Sequence, residues 1–173
     1  MDDFLEILKY VIPSIVVFAT AYLILQKFMD NEYRKQVLLV RKENQNITMP
    51  LRLQAYERLI LLLERISLNS IVVRVHQPGM NAKVLQDVLV QSINTEYEHN
   101  IAQQVYISST AWGHVRKTKD DVIKIVNLAA AQMNDKSSGA DLGKQIAAIM
   151  MKMEVSPTHA TITLLKKEVR QLF

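Results

Sequence analysis

One uninterrupted apolar segment, Tyr10–Leu25 (YVIPSIVVFATAYLIL), constrains this chain more than any other feature. It holds no ionised side chain, and nothing comparable follows it. A hydrocarbon core about 30 Å thick takes roughly 20 helical residues. Extending the segment from Phe4 to Phe28 gives about 37 Å of helix, enough to cross with some tilt. Glu6, Lys9 and Lys27 then fall near the ends, where long side chains reach the head groups. Tyr10, Tyr22 and Phe28 are the expected interface anchors. Asp3 and Glu6 have capping-box spacing, so the helix is expected to start before Pro13, and Pro13 is expected to kink it.

The flanks orient the span. Acidic Asp2, Asp3 and Glu6 precede it, and basic Lys27, Arg34, Lys35, Arg41 and Lys42 follow within about 20 residues. The positive-inside rule places a short amino-terminal end outside the plasma (inner) membrane and the rest of the chain in the cytoplasm. A cleaved signal peptide fits poorly, because the leader is acidic and Ala19-Thr20-Ala21 lies inside the apolar run rather than after it. With no cysteine there is no lipoprotein anchor, disulfide, thiolate zinc site or cysteine nucleophile. The net charge of +4 is concentrated just past the span: residues 27–76 carry nine basic and five acidic side chains. Topology and attraction to anionic lipid account for that excess without nucleic acid.

The rest of the chain reads as all-α. Residues 1–28 form the anchor, 29–47 a helical stalk and 48–173 a cytoplasmic bundle of about five helices. In the stalk, Tyr33, Val37 and Val40 recur at helical spacing, which suits either a greasy edge or a self-association seam. Gln45-Asn46-Ile47 reads as a break, with Thr48 capping a helix over about Met49–Val73. Ile71-Val72-Val73 is β-branched, so a small strand pair with Val105-Tyr106-Ile107 is an alternative there. After the His76–Gly79 turn, Asn81 caps a helix in which Leu85, Leu89, Ile93, Tyr97, Ile101 and Val105 repeat every four residues. Ser108 or Ser109 opens the next, with Trp112, Val115, Val122, Val126, Ala129 and Met133 on one face. Leu142, Ile146, Ile149 and Met153 line a short helix after the loop ending at Gly139. Ser156-Pro157 starts the last one, lined by Ile162, Leu165, Val169 and Leu172.

No constellation of side chains specifies a reaction. Glu96-x-x-His99 is a single copy of a motif that di-iron bundles need twice, with further inward carboxylates. Gly139–Gln145 has three residues between its glycines and Gln after the lysine, whereas a phosphate loop needs four and Ser or Thr. Arg116-Lys117-Thr118-Lys119 is answered at once by Asp120-Asp121, which favours a solvated face over a nucleic-acid site. No catalytic, cofactor or metal residues are therefore assigned. The residues singled out for partner contact are Trp112 and the methionines Met150, Met151 and Met153, since methionine adapts to irregular surfaces; for these, core filling is the commoner role.

The anchor followed by this helical part, with the stretch Tyr106–Ile123 (YISSTAWGHVRKTKDDVI), resembles a group of uncharacterised small bacterial membrane proteins. That resemblance implies the same single-span, all-α layout and carries no activity. Three functions are expected in order: a non-catalytic accessory or scaffold subunit binding a membrane or cytoplasmic protein or a second copy of itself; a membrane-tethered enzyme or small-ligand sensor with a site in the bundle near Tyr97, His99 or His114; and a membrane tether for nucleic acid.

Overall fold

A computed structural model describes residues 2–172, and the side chains of 9, 11–43 and 45–171. The chain is all-α. Its helices are α1 (Asp2–Arg65), α2 (Leu68–Val75), α3 (Ala82–Asn100), α4 (Ser109–Ala130), α5 (Gly139–Met151) and α6 (Pro157–Leu172). A 3₁₀ turn, Ile101–Val105, joins α3 to α4. Among the described residues there is no strand, only one isolated bridge between Asn81 and Ser138. The strand pair considered for Ile71-Val72-Val73 and Val105-Tyr106-Ile107 is thus replaced by α2 on one side and by the end of the 3₁₀ turn and the loop after it on the other. Two compact units divide at Met49/Pro50.

In the first unit, residues 2–49 are helical throughout. The expected break at Gln45-Asn46-Ile47 is absent, as α1 is helical across it and across Pro50. A proline inside a helix removes the hydrogen bond to the carbonyl four residues back. Here that carbonyl belongs to Asn46, and both Asn46 and Pro50 are exposed, where an unpaired carbonyl costs less than in a core. Ser14 and Thr20 donate their hydroxyls to the carbonyls of Val11 (2.8 Å) and Val16 (2.7 Å). These bonds pair the serine and threonine hydroxyls described on the apolar run, where an unpaired one would be costly.

The second unit builds its own core. Ala55, Tyr56, Leu59, Leu62, Leu63 and Ile66 of α1 pack with Leu85, Leu89 and Ile93 of α3, Val115, Val122 and Val126 of α4, Leu142 and Ile146 of α5 and Ile162 and Leu165 of α6. The helix expected over Met49–Val73 is split at Ser67, whose ψ of 129° takes the backbone out of the helical region. The break is satisfied locally: Ser70 and Ile71 donate to the Ser67 carbonyl, and the Arg74 guanidinium donates to the Arg65 carbonyl at 3.1 Å. An orphan carbonyl at a helix end is thereby capped.

Three helix starts fall where the sequence puts them. Asn81 Oδ1 accepts from Val84 N (2.8 Å), Ser108 Oγ from Ala111 N (3.0 Å) and Ser156 Oγ from His159 N (3.3 Å) ahead of Pro157. Ser138 and Asp141 add a reciprocal capping box on α5. The two hydrogen bonds from Ser138 hold the Asp141 carboxyl below its ordinary pKa. Gly139 sits where two loops touch. Its N–H donates to Met80 O at 2.8 Å, and a Cβ there would lie 3.1 Å from both that oxygen and the His76 ring. A side chain there would force both neighbours to give by a few tenths of an ångström, which glycine avoids.

The stripe on α4 contains one residue that hydrophobic periodicity passes over. Thr118, three after Val115 and four before Val122, is buried, and its hydroxyl meets that of buried Thr161 on α6 at 2.7 Å. Thr118→Val is expected to cost about 1–3 kcal/mol because it leaves a buried hydroxyl unpaired. Replacing both threonines by valine should restore most of that loss. Urea unfolding of the two single variants and the double variant measures the coupling.

Candidate interaction surface

The side chains expected to face lipid are open. Tyr22 and Phe28 are exposed, as are most of the apolar residues between Val11 and Met29. Pro13 lies within α1. The side chain of Tyr10 lies outside the described residues. Among the described residues one helix is long and apolar enough to cross a membrane. Its most apolar 18-residue window has a mean hydropathy of 1.7, and 0% of that window is buried within the chain. Lys27, Arg34, Lys35, Arg41 and Lys42 are all exposed past it, with Lys35 paired to Glu32 at 2.9 Å.

In the bundle, the expected contact residues separate. Trp112 is half-buried, its ring stacked on Tyr97 at 5.3 Å between centroids, and Lys119 Nζ lies 5.1 Å above the Tyr97 ring while pairing with Asp120 at 2.8 Å. Met150 packs against the core, Met153 is exposed just past α5, and Met151 is 87% exposed. Of these four, Met151 is the most open to a partner. His99 is exposed, and Glu96 three residues before it pairs instead with Arg65 at 2.6 Å. Among the described residues no group of three or more His, Cys, Asp or Glu comes together.

Periodicity misplaces the end of α3. The helix stops at Asn100 and the 3₁₀ turn rotates the following residues, so Ile101 and Val105, expected on the buried stripe, are 45% and 77% exposed. The Asn100 side chain donates to the Glu96 carbonyl at 2.8 Å, drawing off an acceptor at the helix end. Together with exposed Tyr106, these two make an apolar turn on the bundle surface, and Arg52 Nε tethers it through the Tyr106 carbonyl at 3.1 Å.

A second apolar feature lies between α1 and α6. Leu53, Tyr56, Ile60 and Val169 floor a hollow of about 200 Å³, with Glu57, Lys166 and Arg170 also lining it. Tyr56 is buried and donates its hydroxyl to Glu168 Oε1 at 2.8 Å. Burial, and then the hydrogen bond to Glu168, raise its pKa above the ordinary phenol value. A raised folded-state pKa stabilises the fold below the unfolded-state value near 10, and that contribution is lost as pH rises through the folded-state value. Tyr56→Phe is expected to cost about 1.5–3 kcal/mol at neutral pH, the net worth of a hydrogen bond to a carboxylate. The difference from the parent should shrink in alkaline solution, which thermal unfolding at pH 7 and above pH 10 would measure.

These features define a class: an all-α chain with one apolar helix of membrane-spanning length and a helical bundle whose surface keeps apolar patches. The chain belongs to the family of unknown function DUF7935, whose model matches residues 2–172. No curated protein matches the chain, nor does any solved structure.

Proposed function

We propose that the chain is a single-span protein of the plasma (inner) membrane, with its short amino-terminal end outside and its bundle in the cytoplasm. In this reading the bundle is not catalytic. It binds another protein, as an accessory or scaffold subunit of a membrane complex. The observation that carries the reading is a division of labour in burial: the bundle fills its core with residues from Ala55 onward, while the most apolar window of the chain is 0% buried. An apolar face of that size left open needs a non-aqueous environment, and lipid is the one its length fits.

Carbonate washing of membranes should retain the full-length chain, and protease added outside intact cells should spare its carboxyl-terminal part. Gentle solubilisation should then return the chain with a second component in fixed stoichiometry. Release by carbonate would remove the anchor, and a clean monomer without a partner would remove the scaffold role.

A further inference from the structure

The absence of a break at 45–47 extends the stalk stripe beyond what its sequence pattern suggested. Met29, Tyr33, Val37, Val40, Asn44 and Ile47 fall within about 80° of one another on a helix of 3.6 residues per turn. Tyr33, Val40 and Ile47 are 70%, 58% and 63% exposed, and Met29 is exposed as well. From Tyr33 onward the steps are 4, 3, 4 and 3, the spacing of a coiled-coil seam. Val37 and Asn44 take the first core position of successive heptads, and Tyr33, Val40 and Ile47 take the second. A single asparagine at the first core position fixes register and oligomer state in parallel two-stranded coils. Leu38 and Leu39 are exposed too, but their neighbours at helical spacing are charged or polar (Arg34, Lys35, Lys42 and Glu43 among them), so they continue no stripe.

The flanking charges select both occupant and orientation. Arg34 and Arg41 border the seam on one side, and Gln36 and Glu43 on the other. An antiparallel pair would face each arginine edge with its own copy, placing like charges together. A parallel pair sets the Gln36 edge against the arginine edge, with Gln36 opposite Arg41 of the second copy. We propose that residues 33–47 form a parallel two-stranded coiled coil with a second copy of this chain. The proposal rests on the membrane reading above in one respect. A seam of 15 residues is short for a free coiled coil, and a shared bilayer supplies the parallel alignment and the local concentration.

The chain has no cysteine, so single cysteines report position without a background. Each residue from 33 to 47 is changed to cysteine in the full-length chain, membranes are oxidised, and the dimer fraction is read on a non-reducing gel. Maxima at Tyr33→Cys, Val37→Cys, Val40→Cys and Ile47→Cys, several-fold above Lys35→Cys, Leu38→Cys and Lys42→Cys, are expected. A flat profile, monomer throughout or the opposite phase would overturn the seam. Adding Asn44→Val to Val40→Cys should strengthen the cross-linked dimer band, because the polar core position that costs stability is removed. A dimer band that is unchanged or weakened would overturn the placing of Asn44 in the seam. Carbonate washing of the same membranes separates the two ideas. Retention with a flat profile overturns the coiled coil alone. Release overturns the anchor, and sedimentation of the released chain then decides the coiled coil, a dimer supporting it and a monomer overturning it.

Discussion

Leu89→Ala is expected to lower the unfolding free energy of the bundle by about 2–5 kcal/mol. Leu89 lies in the middle of α3, fully buried, one helical turn from buried Leu85 and Ile93. α3 packs against α2, α4 and α5, so its neighbours are held from several sides and collapse poorly into the space a leucine leaves. A loss of that size is a large fraction of the roughly 5–15 kcal/mol that holds a domain together. Leu128→Ala, on the open face of α4, should change stability by no more than about 0.5 kcal/mol. Trp112 supplies the readout, since it is the single tryptophan and is stacked on Tyr97 beside the core. Its emission during urea unfolding should shift the Leu89→Ala midpoint downward with an unchanged slope. Equal midpoints for the two variants would mean that α3 is not the packed centre of the bundle.

That centre was readable because helix stripes and caps are local. Leu85, Leu89 and Ile93 repeat at a spacing only one face of a helix satisfies, and all three are buried. Asn81, Ser108 and Ser156 each accept a bond from the first turn that follows, a purely short-range requirement. What escaped the sequence depends on partners far along the chain. Thr118 fills a core position because Thr161, on another helix, takes its hydroxyl. Gly139 is a close-approach glycine because Met80 and His76 arrive beside it from another loop.

Two misreadings concern helix ends, where several weak preferences compete. Ser67 has good capping chemistry, but it lies inside a strong apolar run, and the periodicity hides the break. Gln45-Asn46-Ile47 and Pro50 carry the opposite signal, yet these residues are exposed, so the carbonyl that Pro50 leaves unpaired is not forced into a core. Ser138 with Asp141 was a legible signal of the reciprocal box, with aspartate in place of the usual glutamate. The expected contact residues show the same limit. Exposure of Met151 and burial of Met150 differ by one residue and follow from where α5 ends.

Phe18→Arg is expected to abolish stable membrane insertion. Position 18 lies near the middle of the apolar run, and the phenylalanine is exposed there, free of any packing role within the chain. Arginine at the centre of a spanning helix costs about 2.5–3.5 kcal/mol on an insertion scale, and the favourable contribution of phenylalanine is lost as well. A total near 3–4 kcal/mol corresponds to a change of more than a hundredfold in the insertion equilibrium. Leu39→Arg is the matched control, since Leu39 is also open but lies within the basic flank, where a further positive charge favours the cytoplasmic side. The carbonate-resistant fraction should therefore fall sharply for Phe18→Arg and stay at the parent level for Leu39→Arg. The thermal transition of the bundle should be the same in both variants, because its core draws on residues from Ala55 onward. If Phe18→Arg stayed in the carbonate pellet while the bundle remained folded, the apolar run would be serving some purpose other than crossing lipid. If instead the bundle unfolded with the span, the core attributed to residues beyond Ala55 would be incomplete without the anchor.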